Sequence, residues 1–135
     1  MIIGVGTDII EINRIGEAIS KEGFVKKYFT DREIIFFQSR NFKEETIAGS
    51  FAAKEAIAKA LGTGFSGFGA IDIEIIHDGK GTPYVVLAGN AKVLAMAKQI
   101  ENISISISHC RDYATAYAVA EGGLNHESCK CSTNS

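Results

Sequence analysis

Four side chains in this sequence have types and settings suited to chemistry: Asp8, Glu55, Lys59 and His109. Asp8 interrupts the apolar opening run MIIGVGTDII, where an unpaired carboxylate is costly to bury. Such a group caps the helix that follows, pairs with a lysine, or holds a cation. Glu55 and Lys59 stand one helical turn apart in AGSFAAKEAIAKALG, a stretch otherwise almost free of charge. As a solvent-facing i,i+4 pair they would stabilise a helix by roughly 0.2–0.5 kcal/mol, and Lys59 also suits the negative end of the helix dipole. Yet a surface helix without function normally carries more charge on its outer face. Two carboxylates and a lysine fit a second reading. Mg²⁺ takes one or two protein carboxylates and completes its octahedron with water and phosphate oxygens. Phosphoryl-type chemistry asks the protein mainly for positioning and charge neutralisation. Spacing alone does not bring Asp8 to Glu55.

Other chemistries lack their signatures. There is no G-x-x-x-x-G-K-[ST], no G-x-G-x-x-G between strand and helix, no G-x-S-x-G and no H-E-x-x-H. The four glycines of residues 62–69 follow a helix, so the helix dipole does not attract phosphate there. His109 and Cys110 are neighbours on a predicted strand and point to opposite faces. His126, Cys129 and Cys131 form H-x-x-C-x-C, a poor metal site with tight cysteine spacing and no fourth ligand; a frayed polar terminus accounts for it.

The elements that must position these residues follow from periodicity. Ala53, Ile57, Ala60 and Leu61 recur on one helical stripe, and Phe51, Glu55, Ala58, Lys59 and Gly62 form a second. Gly49 points to close backbone packing, and Gly62 closes the helix. Residues 2–10 read as a buried strand whose Gly4 and Gly6 admit a neighbouring backbone. Ile12, Ile15, Ala18 and Ile19 predict a helix over 11–21, and a short helical piece over 24–29 carries Lys26 and Lys27. Thr30-Asp31-Arg32-Glu33 is a capping box that starts a helix to about Ser39, and residues 40–45 form a polar link. Alternating isoleucines predict a strand over 71–76, a turn at 78–81 and a partner strand over 83–87. A helix over 91–100 turns Val93, Leu94, Ala97 and Ile100 inward. Ile103, Ile105 and Ile107 alternate with serines into His109, and a bend at Arg111-Asp112 leads to a strand over 113–120. The fold class is therefore α+β, a mainly antiparallel sheet with one long central helix and shorter helices.

The chain has 135 residues and a formal charge of −2. That length suits one domain, taken as residues 1–121 with a polar tail over 122–135. The charge argues against a nucleic-acid binder. No apolar run reaches the ~18 residues of a membrane span, and no export signal is visible. Three cysteines without such a signal imply reduced thiols and a cytoplasmic setting.

G-T-D-I-I-E-I-N-R at 6–14, F-A-A-K-E-A-I-A-K-A-L-G-T-G at 51–64 and I-S-I-S-H at 105–109 resemble the three signatures of the holo-[acyl-carrier-protein] synthase family, one branch of the 4′-phosphopantetheinyl transferases. The resemblance covers residues 1 to about 121 and implies that family's fold. It implies transfer of 4′-phosphopantetheine from coenzyme A to a serine of apo acyl carrier protein, for fatty acid biosynthesis. It also implies dependence on Mg²⁺ and a homotrimer with active sites between subunits. By position, Asp8 and Glu55 would hold the metal, and Glu55 and Lys59 would be catalytic. Lys59, Gly62, Thr63, Gly64 and His109 would contact coenzyme A, His109 from the neighbouring subunit. Arg14 and Lys21, with Lys26 and Lys27 beside them, would face the acidic carrier protein. Two positions depart from family patterns: Ser50 stands where arginine is common, and Ile10 where the larger two-lobed transferases have a second acid. The same carboxylates would also serve a small Mg²⁺-dependent phosphohydrolase, and a non-catalytic coenzyme A-binding module is a further alternative.

Overall fold

The computed structural model describes residues 1–123; the H-x-x-C-x-C motif lies outside the described residues. The chain runs β1 (Ile2–Glu11), α1 (Ile12–Ile19), α2 (Phe24–Tyr28), α3 (Asp31–Ser39) and α4 (Glu44–Ala60). A 3₁₀ turn (Ala70–Asp72), β2 (Ile73–His77), β3 (Pro83–Leu87), α5 (Gly89–Ala97), β4 (Ile100–His109) and β5 (Tyr113–Gly122) complete it. The three long strands form one antiparallel sheet in the order β1-β5-β4, and β2 and β3 form a separate hairpin. The α+β class and the mainly antiparallel sheet are as expected from the sequence.

Helix α4 is the hub. From Ile47 to Ala60 every residue is buried except Phe51, Glu55 and Lys59. Those three recur at intervals of four and so share one face. The scarcity of charge from Ile47 onward therefore has a packing cause: sheet, hairpin and α1 pack against it. Small residues allow the close fit. Ala114, Ala116, Ala118 and Ala120 of β5 are all buried in the core beneath α4, which meets them with Ala52, Ala53, Ala56 and Ala60. In β1, a Cβ built on Gly4 would overlap the Ala60 carbonyl, and one on Gly6 the Ala56 carbonyl. The two glycines thus let β1 lie directly on the helix backbone.

The capping box forms as predicted. Thr30 Oγ1 accepts from the Glu33 amide at 3.3 Å, and Glu33 Oε1 accepts from the Thr30 amide at 2.9 Å. Gly62 takes φ +94° just past the end of α4, as a helix-closing glycine does.

Three local expectations fail. β1 is not a buried strand but the edge strand of its sheet, with Ile2, Val5 and Ile9 exposed. Ile71 and Asp72 belong to the 3₁₀ turn, not to a strand, because the Asp72 carboxylate accepts from the Gly69 amide at 3.4 Å and curls the chain locally. In α5 the buried residues are Ala91 and Ala95, whereas Val93 is 63 % exposed. Ile100 has already entered β4. Small side chains, not the large ones, set the face on which this helix approaches its neighbours.

Candidate active site

Asp8 sits near the C-terminal end of β1, in register with Ala116 of β5. Ala116 is buried under α4, and directly paired residues share a sheet face, so the Asp8 side chain points to the helix side. There it meets Lys59, whose Nζ donates to Asp8 Oδ1 at 3.3 Å and to the Thr7 carbonyl at 2.9 Å. Asp8 does not cap α1: Glu11 occupies that N-cap, with no side-chain hydrogen bond. Nor is Lys59 engaged by Glu55. Among the described residues Glu55 has no salt bridge or side-chain hydrogen bond. The Lys59 side chain is 52 % exposed, so its contact with Asp8 is worth at most about 1 kcal/mol. A ligand can compete for that ammonium.

Asp8 and Glu55 line one cleft of about 390 Å³, with Arg14, Phe24, Phe51 and Tyr113 among its other walls. Burial raises the Glu55 pKa above the ordinary carboxylate value, and the charge of Asp8 raises it further, against a smaller opposing effect of Lys59. Three acids line the cleft, of which Glu11 is exposed; Asp8 and Glu55, with less than full compensation, are suited to a cation. Among the described residues no third histidine, cysteine or acid joins them in a cluster. That donor set fits Mg²⁺, which takes its remaining ligands from water and phosphate, and does not fit tetrahedral zinc.

The remaining predicted residues divide. Arg14 is exposed on α1 and lines the same cleft; Lys21, Lys26 and Lys27 are exposed and do not line it. Gly62, Thr63 and Gly64 form the turn next to Lys59. The Gly62 amide donates to the Lys59 carbonyl at 2.9 Å, the Gly64 amide to that of Ala58 at 3.1 Å, and Thr63 Oγ1 to that of Gly64 at 2.9 Å. His109 is not brought to Asp8 and Glu55 within one chain. It opens on a second cleft with Thr46, Gly49 and Ser50 of α4, which face away from Phe51 and Glu55 by the helical repeat.

Sequence reasoning missed Lys54, beside Glu55. It is only 1 % exposed, and its Nζ donates to Glu33 Oε1 at 2.7 Å, to the Ala70 carbonyl at 2.9 Å and to that of Ile73 at 2.7 Å. Glu33 Oε2 in turn accepts from the Ile75 amide at 2.8 Å. The pair ties the Glu55 turn of α4 to α3 and β2. No local pattern marks a lysine as buried; the one usable signal was its place in the F-A-A-K-E-A block.

Residues 4–118 match the family model of the 4′-phosphopantetheinyl transferase superfamily, which sets the class. A holo-[acyl-carrier-protein] synthase of Alkaliphilus oremlandii is 56 % identical over 121 residues, 89 % of this chain and 99 % of that one. Among solved structures, the Plasmodium yoelii acyl carrier protein synthase with ADP bound superposes with TM-score 0.82 at 40 % identity, over 92 % of this chain and 98 % of that one. The Helicobacter pylori holo-[acyl-carrier-protein] synthase in complex with coenzyme A does so with TM-score 0.77 at 32 % identity, over 87 % and 99 %. The chain belongs to the holo-[acyl-carrier-protein] synthase family of that superfamily.

Proposed function

We propose that the protein transfers 4′-phosphopantetheine from coenzyme A to a serine of apo acyl carrier protein, releasing adenosine 3′,5′-bisphosphate, as a step toward fatty acid biosynthesis in the cytoplasm. The observation that carries this reading is that Asp8 and Glu55, 47 residues apart in sequence, line one cleft, while Lys59 reaches from α4 to Asp8. Asp8 and Glu55 would hold Mg²⁺. When bound, that ion polarises the pyrophosphate and neutralises part of its charge.

The chain's own groups do the rest. The serine hydroxyl gives its proton to Glu55 or to a water in the cleft. Its oxygen bonds to the β-phosphorus of coenzyme A, and the bond from that phosphorus to the bridging oxygen breaks. Lys59, loosely held by Asp8, is free to meet the negative charge that grows on the departing bisphosphate. Gly62, Thr63 and Gly64 would contact coenzyme A from the turn that closes α4. Arg14 at the cleft, with the exposed Lys21, Lys26 and Lys27, would present positive charge toward an acidic carrier protein.

The homotrimer, with active sites between subunits, is part of the same reading. Val5, Ile9, Tyr113 and Tyr117 stand 60 %, 66 %, 43 % and 59 % exposed, an apolar sheet face of the kind that copies of a chain cover. A second copy would also bring its own His109 cleft toward Asp8 and Glu55. Intact mass of an apo acyl carrier protein, after incubation with coenzyme A and Mg²⁺, tests the activity. A gain of one phosphopantetheinyl group, abolished by chelator, is expected. No gain, or free phosphopantetheine released without carrier, would contradict it.

A further inference from the structure

We propose that Lys98 is a positioning residue whose charge offsets the negative end of α4, so that the phosphates of coenzyme A can lie against the turn beyond Lys59; this rests on the transferase reading above. A helix C-terminus carries about half a negative charge and leaves its last carbonyls without partners. On its own it repels an anion. Yet Lys59 stands in the last turn of α4, and Gly62, Thr63 and Gly64 follow directly. The turn caps two of the end carbonyls itself, through the Gly64 amide to Ala58 at 3.1 Å and the Gly62 amide to Lys59 at 2.9 Å. The Leu61 carbonyl takes its donor from elsewhere: Lys98 Nζ, from the residue that ends α5, at 2.7 Å. Among the described residues Lys98 has no carboxylate partner, so no acid cancels its charge at the end of α4.

Helix α5 also holds the far end of the same loop. Asn90 Nδ2, in its first turn, donates to the Gly67 carbonyl at 3.0 Å. Phe65 and Phe68, with ring centres 5.8 Å apart, pack against the core. Between these anchors Gly62, Gly64 and Gly67 take φ of +94°, +62° and +88°, a backbone that side chains adopt only with strain. A Cβ on Gly64 or Gly67 would meet no atom within 4 Å, so these two glycines serve conformation and not packing. Glycines lose the most freedom on ordering, and anchoring the loop before a ligand arrives removes that loss from the binding step. Lys98 thus does two things at one carbonyl: it fixes the start of the loop and places a cation where the helix alone would oppose phosphate.

Calorimetric titration of coenzyme A into three variants tests this without requiring turnover. Lys98→Met removes charge and donor, Lys98→Gln removes the charge alone, and Lys98→Arg keeps both. Lys98→Met should raise the Kd about five- to tenfold, the effect of one charge at a helix end. Lys98→Gln should show most of that loss, and Lys98→Arg should stay within about twofold of the wild type. The Kd of the two neutral variants should also climb less steeply with salt, and in turnover KM for coenzyme A should rise while KM for the carrier protein does not. A merely structural lysine would not separate Arg from Gln or change the salt dependence. Wild-type affinity in Lys98→Gln or Lys98→Met, or Lys98→Arg as weak as Lys98→Met, would overturn the proposal. If coenzyme A binding follows the charge at residue 98 but no carrier protein is modified, the transferase reading fails and this one stands.

Discussion

Replacing Lys54 with methionine removes one buried cation and tests what fixes the Glu55 turn of α4. Lys54 and Glu33 are each 1 % exposed, and the lysine's three hydrogen bonds measure 2.7, 2.9 and 2.7 Å. Methionine preserves much of the stem but donates to nothing. Glu33 then keeps only the amides of Thr30 and Ile75, and the carbonyls of Ala70 and Ile73 each lose a donor. Stranding one charge of a buried pair costs about 3–5 kcal/mol, a large part of the ~5–15 kcal/mol that holds a domain folded. With a urea slope of about 1.5 kcal/mol per molar, the unfolding midpoint should fall by about 2–3 M. Circular dichroism reads this, at one protein concentration because subunit association shifts apparent stability. Glu33→Gln combined with Lys54→Met removes the stranded charge and should recover about 1 kcal/mol or more of the loss. A single variant within about 0.5 M of the wild-type midpoint, or a double variant no better than the single, would refute the reasoning.

The site makes further predictions. Burial and Asp8 raise the Glu55 pKa, so folding favours its protonated form. This contribution is fully present below the unfolded value of about 4.3 and is lost as pH rises through the higher folded value. Glu55→Gln should therefore raise the metal-free Tm at neutral pH, with the gain vanishing below pH ~4, while abolishing transfer; a gain independent of pH, or near-normal activity, would contradict the assignment. Arg14→Ala should raise KM for the carrier protein more than KM for coenzyme A, and added salt should narrow the difference by screening. Equal effects on both substrates at every ionic strength would remove its proposed role.

Much of the frame was legible because it depends on local rules. Thr30 and Glu33 sit at capping-box spacing, the isoleucines of β4 alternate, and Gly4 and Gly6 announced a close neighbour in β1. Features set by tertiary packing were not legible. That Lys54, Glu55 and Lys59 are the only charges of α4 from Ile47 onward reflects burial on every face but one, and Lys54 looks like any surface lysine until Glu33 arrives from α3. In α5 the large residues suggested the inner face, but the fit of Ala91 and Ala95 decided it. For the site, sequence supplied Asp8, Glu55 and Lys59 as types, and pairing of β1 with β5 beneath α4 supplied their meeting. His109 could not be joined to them by either route within one chain, since α4 presents opposite sides to the two clefts.

The joint hold of Asp8 and Glu55 on one divalent ion is the claim on which the mechanism depends. Mn²⁺, which shares the oxygen-rich octahedral preference of Mg²⁺, reports it directly by paramagnetic resonance when titrated into protein with coenzyme A present. The wild-type protein should show one bound ion per site, and Asp8→Asn and Glu55→Gln should each lose it while keeping the native far-ultraviolet spectrum. Wild-type affinity for Mn²⁺ in either variant would contradict the account.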